Sequence, residues 1–277
     1  MAMSRVGRIP LRWQKIRRDW RAFRRRVEHW RKLLRRAWRR VAALPRTLRI
    51  GIVVAVFLAV LSVVNFAYHV VHKPTELFFP LDGRLAKTPD DAWRNYGTLF
   101  RRYSTPAIPP ELLAALAEVE SDGNPVARTY WRWRFSLNPF AIYAPASTSV
   151  GMYQMTDAAF DEARHYCIRD HAVADDCWFT GLYTRVLPHD AIELAAVYLD
   201  RKVAEIRAAE PALAAGPRQI QDLAAIVQLC GVGPAEKFAR RHFRLVPGER
   251  CGDTLAATYL ARVDAMKRQF LKLESAH

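Results

Sequence analysis

Residues 117–125 read AEVESDGNP. They close an apolar run, LLAALAEVE, with two carboxylates and then break into Ser121-Asp122-Gly123-Asn124-Pro125. The helix dipole favours carboxylates in the first turn and cations in the last, so Glu118 and Glu120 stand at the electrostatically unfavourable end. Some requirement other than helix stability accounts for them. On a helix starting near Pro110, the residues Leu112, Leu116 and Val119 form the buried stripe. That places Glu120 at the margin of the stripe and turns Glu118 towards solvent. Glu120 is therefore expected half-buried beside an abrupt turn. Partial desolvation near a carbonyl-rich helix end raises a carboxyl pKa and suits it to donate a proton at neutral pH. A carboxyl that only hydrogen-bonds its own turn satisfies the same pattern.

Charge excludes one function class by its distribution. The 277-residue chain has a formal charge of +16, which first suggests a nucleic-acid binder. Residues 1–49 hold 18 Lys and Arg against only Asp19 and Glu28, and residues 50–277 hold 25 basic and 25 acidic groups, so the body is neutral. Between Pro10 and Pro45, Trp13, Ile16, Trp20, Phe23, Val27, Trp30, Leu34, Ala37 and Val41 recur every three or four positions. This predicts a basic amphipathic helix suited to an anionic membrane surface, with a coiled-coil seam as the alternative; nucleic acid is not expected as a partner.

The next stretch, IGIVVAVFLAVLSVVNFAYHVVH at 50–72, contains no Asp, Glu, Lys or Arg. As a helix it covers about 34 Å, enough for one membrane span. A cleavable signal peptide fits poorly, because 49 residues precede the run and no clear A-x-A site follows it. The positive-inside rule puts the amino terminus in the cytoplasm and sends residues 73–277 across the membrane. All four cysteines, Cys167, Cys177, Cys230 and Cys251, lie on that far, oxidising side. Of three possible pairings, Cys167–Cys177 and Cys230–Cys251 close the short loops and are preferred. A zinc site built from His165, Cys167, His171 and Cys177 matches no standard spacing, and neither metal nor cofactor is expected.

The expected organisation is a basic segment (1–49), a membrane helix (50–72), a linker (73–87) and one domain (88–277). That domain reads as mainly α. Thr88 caps a helix begun by Pro89, and further helices are expected at about 109–121, 156–168, 188–209, 217–230, 234–243 and 253–275. One stretch breaks the rhythm: in TYWRWRFSLNPFAIYAP, Trp131, Trp133 and Phe135 alternate with Arg132 and Arg134 before Asn138-Pro139 turns the chain. Period two predicts a small hairpin inside the helical domain.

Glu120-Ser121 followed by Gly123-Asn124-Pro125 resembles the Glu-Ser-x-x-Asn-Pro signature of the soluble-lytic-transglycosylase-like family, whose fold is related to goose-type lysozyme. The family's Ser-x-Gly-x-x-Gln motif is matched by Ser149, Gly151 and Gln154, and Tyr198-Leu199 and Gly231-x-Gly233 resemble later landmarks, over roughly residues 93–243. The resemblance implies a lysozyme-like domain acting on peptidoglycan strands, with Glu120 as its single catalytic acid/base. It implies that Ser121 supports the sugar's acetamido region. It places Ser149, Gly151, Met152, Tyr153, Gln154, Tyr198 and Gln228 in the glycan groove. One departure stands out. The family has Ala-Tyr-Asn before its Gly-x-Gly turn, with the Tyr touching the catalytic carboxyl, whereas this chain has Gln228-Leu229-Cys230. Another Tyr, such as Tyr143, Tyr153 or Tyr198, supplies that contact, or activity is weakened.

What is missing bears on the reaction. From Gly123 to Thr156 there is no Asp or Glu, although a two-carboxylate lysozyme presents its second acid there. A lone Glu favours a substrate-assisted route ending in a 1,6-anhydromuramyl product. Goose-type hydrolysis, or wall binding without catalysis in an envelope-spanning secretion or conjugation apparatus, are the alternatives. Trp131, Trp133, Tyr143 and Tyr153 are candidates for stacking on sugars, or else for the core.

Overall fold

The computed structural model describes residues 24, 28, 29, 31, 32, 35, 36, 38–72, 85–127, 129–178, 180–210 and 214–276. Much of the basic amphipathic stretch and most of the expected linker fall outside the described residues. The chain divides into two units, Met1–Phe66 and Ala67–His277. In the first, the described residues up to Ala42 are helical, and helix α1 (Arg46–His72) begins after Pro45. Among the described residues, Arg46–Val71 is the one helix long and apolar enough to cross a membrane.

The second unit is mainly helical. Its elements are α2 (Pro89–Tyr103), α3 (Pro110–Ser121), β1 (Trp131–Trp133), α4 (Pro139–Ile142), β2 (Tyr143–Pro145), α5 (Asp157–Ala163), β3 (Cys167–Arg169) and β4 (Ala172–Ala174). After a short 3-10 turn come α6 (Pro188–Ala209), α7 (Pro217–Cys230), α8 (Val232–Arg240), β5 (Arg250–Cys251), β6 (Thr254–Leu255) and α9 (Ala256–Ala276). The strands form three separate antiparallel hairpins, β1-β2, β3-β4 and β5-β6. In the first, Trp131 faces Pro145 and Trp133 faces Tyr143.

Helix α3 is the axis of the core. Leu112 to Ala117, six consecutive residues that span every face of a helix, are each 1% exposed or less. A helix apolar all round is stable only when enclosed, and here α2, α6 and above all α9 pack around it. Each of its leucines contributes about 1.5–3 kcal/mol by leaving water. This corrects the expectation for Glu118. That side chain is buried, because tertiary packing covers the face that local periodicity assigns to solvent.

Start signals act as the sequence predicts at several ends. The Thr88 hydroxyl accepts from the Asp91 N–H at 3.2 Å, with Pro89 opening α2. Gly231, at φ 77°, closes α7 and opens α8. The helix expected over 156–168 stops at Ala163 instead. Its last residues enter the β3-β4 hairpin, where the Ile168 N–H donates to Glu193 Oε1 at 2.9 Å and Cys167 bonds to Cys177. The second disulfide joins Cys230, at the end of α7, to Cys251 in β5.

Candidate functional site

The end of α3 is shaped by two consecutive left-handed residues, Asp122 (φ 51°) and Gly123 (φ 62°). Their N–H groups return to Glu118 O at 2.9 Å and Ala117 O at 3.2 Å, satisfying carbonyls the helix leaves open. The Asn124 side chain accepts from the Val126 N–H at 3.0 Å, which completes the reversal before Pro125 leads on. The chain therefore leaves α3 abruptly. Glu120 is left at an accessible margin of an otherwise enclosed helix.

A second tight turn is pinned to that end. Val150 and Met155 exchange both backbone hydrogen bonds, at 3.1 and 3.0 Å, so residues 150–155 close on themselves. Gly151 (φ 78°) has no substitute at this point, because a Cβ there would lie 2.0 Å from the Arg185 carbonyl oxygen. The guanidinium of Arg185 donates to Met155 O at 2.9 Å and Thr148 O at 3.2 Å, and pairs with Asp157 at 2.7 Å. Ser121 Oγ donates to Met152 O at 2.7 Å and so joins the two turns. Gln154, itself at φ 46°, donates back to Gly151 O at 2.9 Å.

Against this frame Glu120 meets two donors. Tyr259, from α9, donates its hydroxyl to Glu120 Oε1 at 2.5 Å. The Gln228 side chain, from α7, hydrogen-bonds the same carboxyl and donates from Nε2 to Tyr153 O at 2.7 Å. Burial pushes the Glu120 pKa up, and the two hydrogen bonds and the nearby Arg262 cation draw it partly back. The net direction is up. Among the described residues, no acid is among the groups that act on it. A cavity of about 210 Å³ is lined by Gln228 together with Gln154, Thr156, Tyr198, Leu229 and Gly231. Gln228 thus touches the carboxyl, whose pKa is raised, and also lines a cleft with amide, hydroxyl and backbone groups at its walls.

Residues 98–223 match the family model described as Transglycosylase SLT domain. Over those residues the chain is similar to SLT domains. Members of this family are lytic transglycosylases, and the domain implies binding of peptidoglycan. Comparison with curated proteins and with solved structures gave no match. The matched residues hold α3, both turns and α6, whereas Gln228 and Tyr259 lie beyond them.

The second unit brings Glu120, Ser121, Gly151, Gln154 and Gln228 together and lines the cleft with Gln154, Gln228 and Tyr198. Ser149 sits half-buried at the entry to the Gly151 turn, its N–H donating to Ser147 Oγ at 3.1 Å. Two groove assignments are corrected. The Met152 side chain is fully enclosed, and so is the Tyr153 ring, whose hydroxyl donates to Leu113 O at 3.0 Å. Both anchor the turn to α3, since the reversal at Gly151 points them inward. Trp133 and Tyr143 are exposed and stack on one another at 4.6 Å on the β1-β2 hairpin, while Trp131 is half-buried.

The contact missing from Gln228-Leu229-Cys230 is supplied by none of Tyr143, Tyr153 and Tyr198. Tyr259 supplies it. In sequence Tyr259 reads as part of the apolar stripe Ala256, Tyr259, Val263, Phe270, and nothing local says that its hydroxyl reaches a carboxylate. Glu118 was also unforeseen. Its Oε2 has no hydrogen-bond partner, and burial together with the Asp122 carboxylate raises its pKa to about 7.

Proposed function

We propose that the protein is a membrane-anchored peptidoglycan lytic transglycosylase that cleaves the MurNAc-GlcNAc β-1,4 bond and leaves a 1,6-anhydroMurNAc end. In this reading the amino terminus is cytoplasmic, α1 spans the inner membrane and the SLT domain works in the periplasm. The observation that carries it is a desolvated Glu120 held by Tyr259 and Gln228 with, among the described residues, no acid among the groups that act on it.

Glu120, whose pKa burial raises, gives its proton to the glycosidic oxygen as the C1–O4 bond breaks. The substrate's own acetamide supports the anomeric carbon in place of a second carboxylate. Glu120, now an anion steadied by the Tyr259 hydroxyl and the Gln228 amide, takes the proton of the muramyl 6-hydroxyl as O6 closes onto C1. One proton leaves and one returns, so the carboxyl is restored and no water is consumed. Gln154 and Tyr198 hold the strand in the cleft, and Ser121 and Gly151 keep the wall rigid beneath it.

Glu120→Gln keeps the shape and both donors' neighbour but has no proton to give. Purified sacculi treated with this variant should release no anhydromuropeptides while the wild type does. Undiminished release by the variant would remove the mechanism. Binding of sacculi by the wild type without any release would instead place the protein among non-catalytic components of an envelope apparatus.

A further inference from the structure

The apolar surface of the second unit is concentrated on the β1-β2 hairpin rather than at the cleft. At its tip Phe135 is 112% exposed and Leu137 105%, and Tyr130 and Trp133 beside them are 69% and 75% exposed. A soluble surface rarely gathers such side chains in one place without a partner. The hairpin has a clear chemical character. Its charged residues are Arg132 and Arg134, both exposed, and no Asp or Glu occurs anywhere from Gly123 to Thr156.

The hairpin also has a fixed neighbour. The second unit opens at Ala67, so it includes the last residues of α1. Tyr68 stacks on Phe140 with ring centroids 4.4 Å apart, His69 donates from Nε2 to Phe140 O at 2.9 Å, and the His69 ring meets Trp131 edge-on at 5.0 Å. Tyr68 and His69 lie within the last turn and a half of the uncharged run 50–72. That is where an aromatic belt meets the headgroups of a bilayer. The hairpin packs on those two residues.

We infer that the β1-β2 hairpin is a membrane-interface element, dipping Phe135 and Leu137 into the outer, periplasmic face of the bilayer that α1 crosses while Arg132 and Arg134 meet anionic lipid headgroups. Apolar tips flanked by basic side chains bind such interfaces through buried area and attraction to anionic lipid together. The inference rests on the reading of α1 as a membrane anchor. It gives the SLT domain a second attachment to the membrane, in addition to the chain connection.

The test uses the full-length protein, whose four cysteines are paired, reconstituted in vesicles of phosphatidylethanolamine and phosphatidylglycerol. Single Leu137→Cys and Val60→Cys variants carry an environment-sensitive fluorophore, and some lipids carry a nitroxide near the headgroup. The label at 137 should shift to the blue and lose most of its emission to the nitroxide, and the label at 60 should be shielded from aqueous quencher. A shielded 60 with an unquenched 137 overturns the hairpin assignment and leaves the anchor standing. If neither label senses lipid, the anchor reading itself fails and the inference falls with it. A 137 label blind to lipid but protected by added soluble glycan strands assigns the hairpin to the wall and also overturns the inference.

Discussion

Tyr259, on the last helix of the chain, donates its hydroxyl to the carboxyl of Glu120, 139 positions earlier. The carboxyl comes from the matched SLT region and the hydroxyl from beyond it. The terminal helix α9, which packs more extensively on α3 than any other described element does, thus completes the site as well as the core.

Tyr259→Phe should lower glycan cleavage by roughly 10- to 100-fold, the equivalent of about 1.5–3 kcal/mol for a hydrogen bond to a charged group. The lost bond stabilises the carboxylate, so the Glu120 pKa rises further and the alkaline limb of the rate profile moves to higher pH. Rates on soluble glycan strands across the pH range check both effects. An unchanged profile would mean that the hydroxyl serves packing alone.

Glu118 gives the fold a pH dependence of its own. Its pKa is raised from 4.5 to about 7, so the folded state holds a proton that the unfolded chain releases between those values. Stability from this group is full below about pH 4.5 and is lost as pH rises through about 7. Glu118→Gln should therefore stabilise the protein above neutrality, on the order of 1–3 kcal/mol, and change little in acid. Thermal melts at about pH 5 and about pH 8 read the difference. Parallel losses in both proteins would contradict the assignment.

Gly151→Ala should be among the most damaging single-methyl changes. The new Cβ would stand 2.0 Å from Arg185 O on a backbone at φ 78°, so the turn or the Arg185 loop must move. A loss on the order of 2–4 kcal/mol is expected, together with loss of cleavage. A wild-type melting temperature in the variant would show that the turn yields easily.

The two disulfides should separate by function. Both close short loops and each contributes about 2–4 kcal/mol of stability. Cys230 lies two residues after Gln228, and Cys251 opens the β5-β6 hairpin that leads into α9 and Tyr259. Serine replacement of Cys230 and Cys251 should reduce cleavage per folded molecule, whereas replacement of Cys167 and Cys177 should cost stability alone. Equal specific activities in the two double variants would refute the distinction.

Local signals in the sequence carried much of this architecture. Thr88-Pro89 and Gly216-Pro217 start their helices where capping chemistry puts them, and period two at Trp131 and Trp133 marks the first hairpin. The reversal after Glu120 is legible in Ser-Asp-Gly-Asn-Pro because Gly and Asn tolerate left-handed backbone. What was not legible depends on residues distant in sequence. Glu118 looks solvated until tertiary packing buries it, Tyr153 looks like a groove residue until the Gly151 turn points it inward, and Tyr259 looks like core. The β3-β4 hairpin likewise escaped, because Cys167 and Ile168 continue a helical pattern that the Cys177 bond and Glu193 override.

The central claim is that one carboxyl, without a second acid, closes the sugar on itself. Digestion of sacculi in heavy-oxygen water, followed by mass spectrometry of the muropeptides, tests it most directly. The account predicts 1,6-anhydro ends without incorporated label. Reducing ends carrying the heavy oxygen at C1 would contradict it, since water would then have taken the place of the 6-hydroxyl.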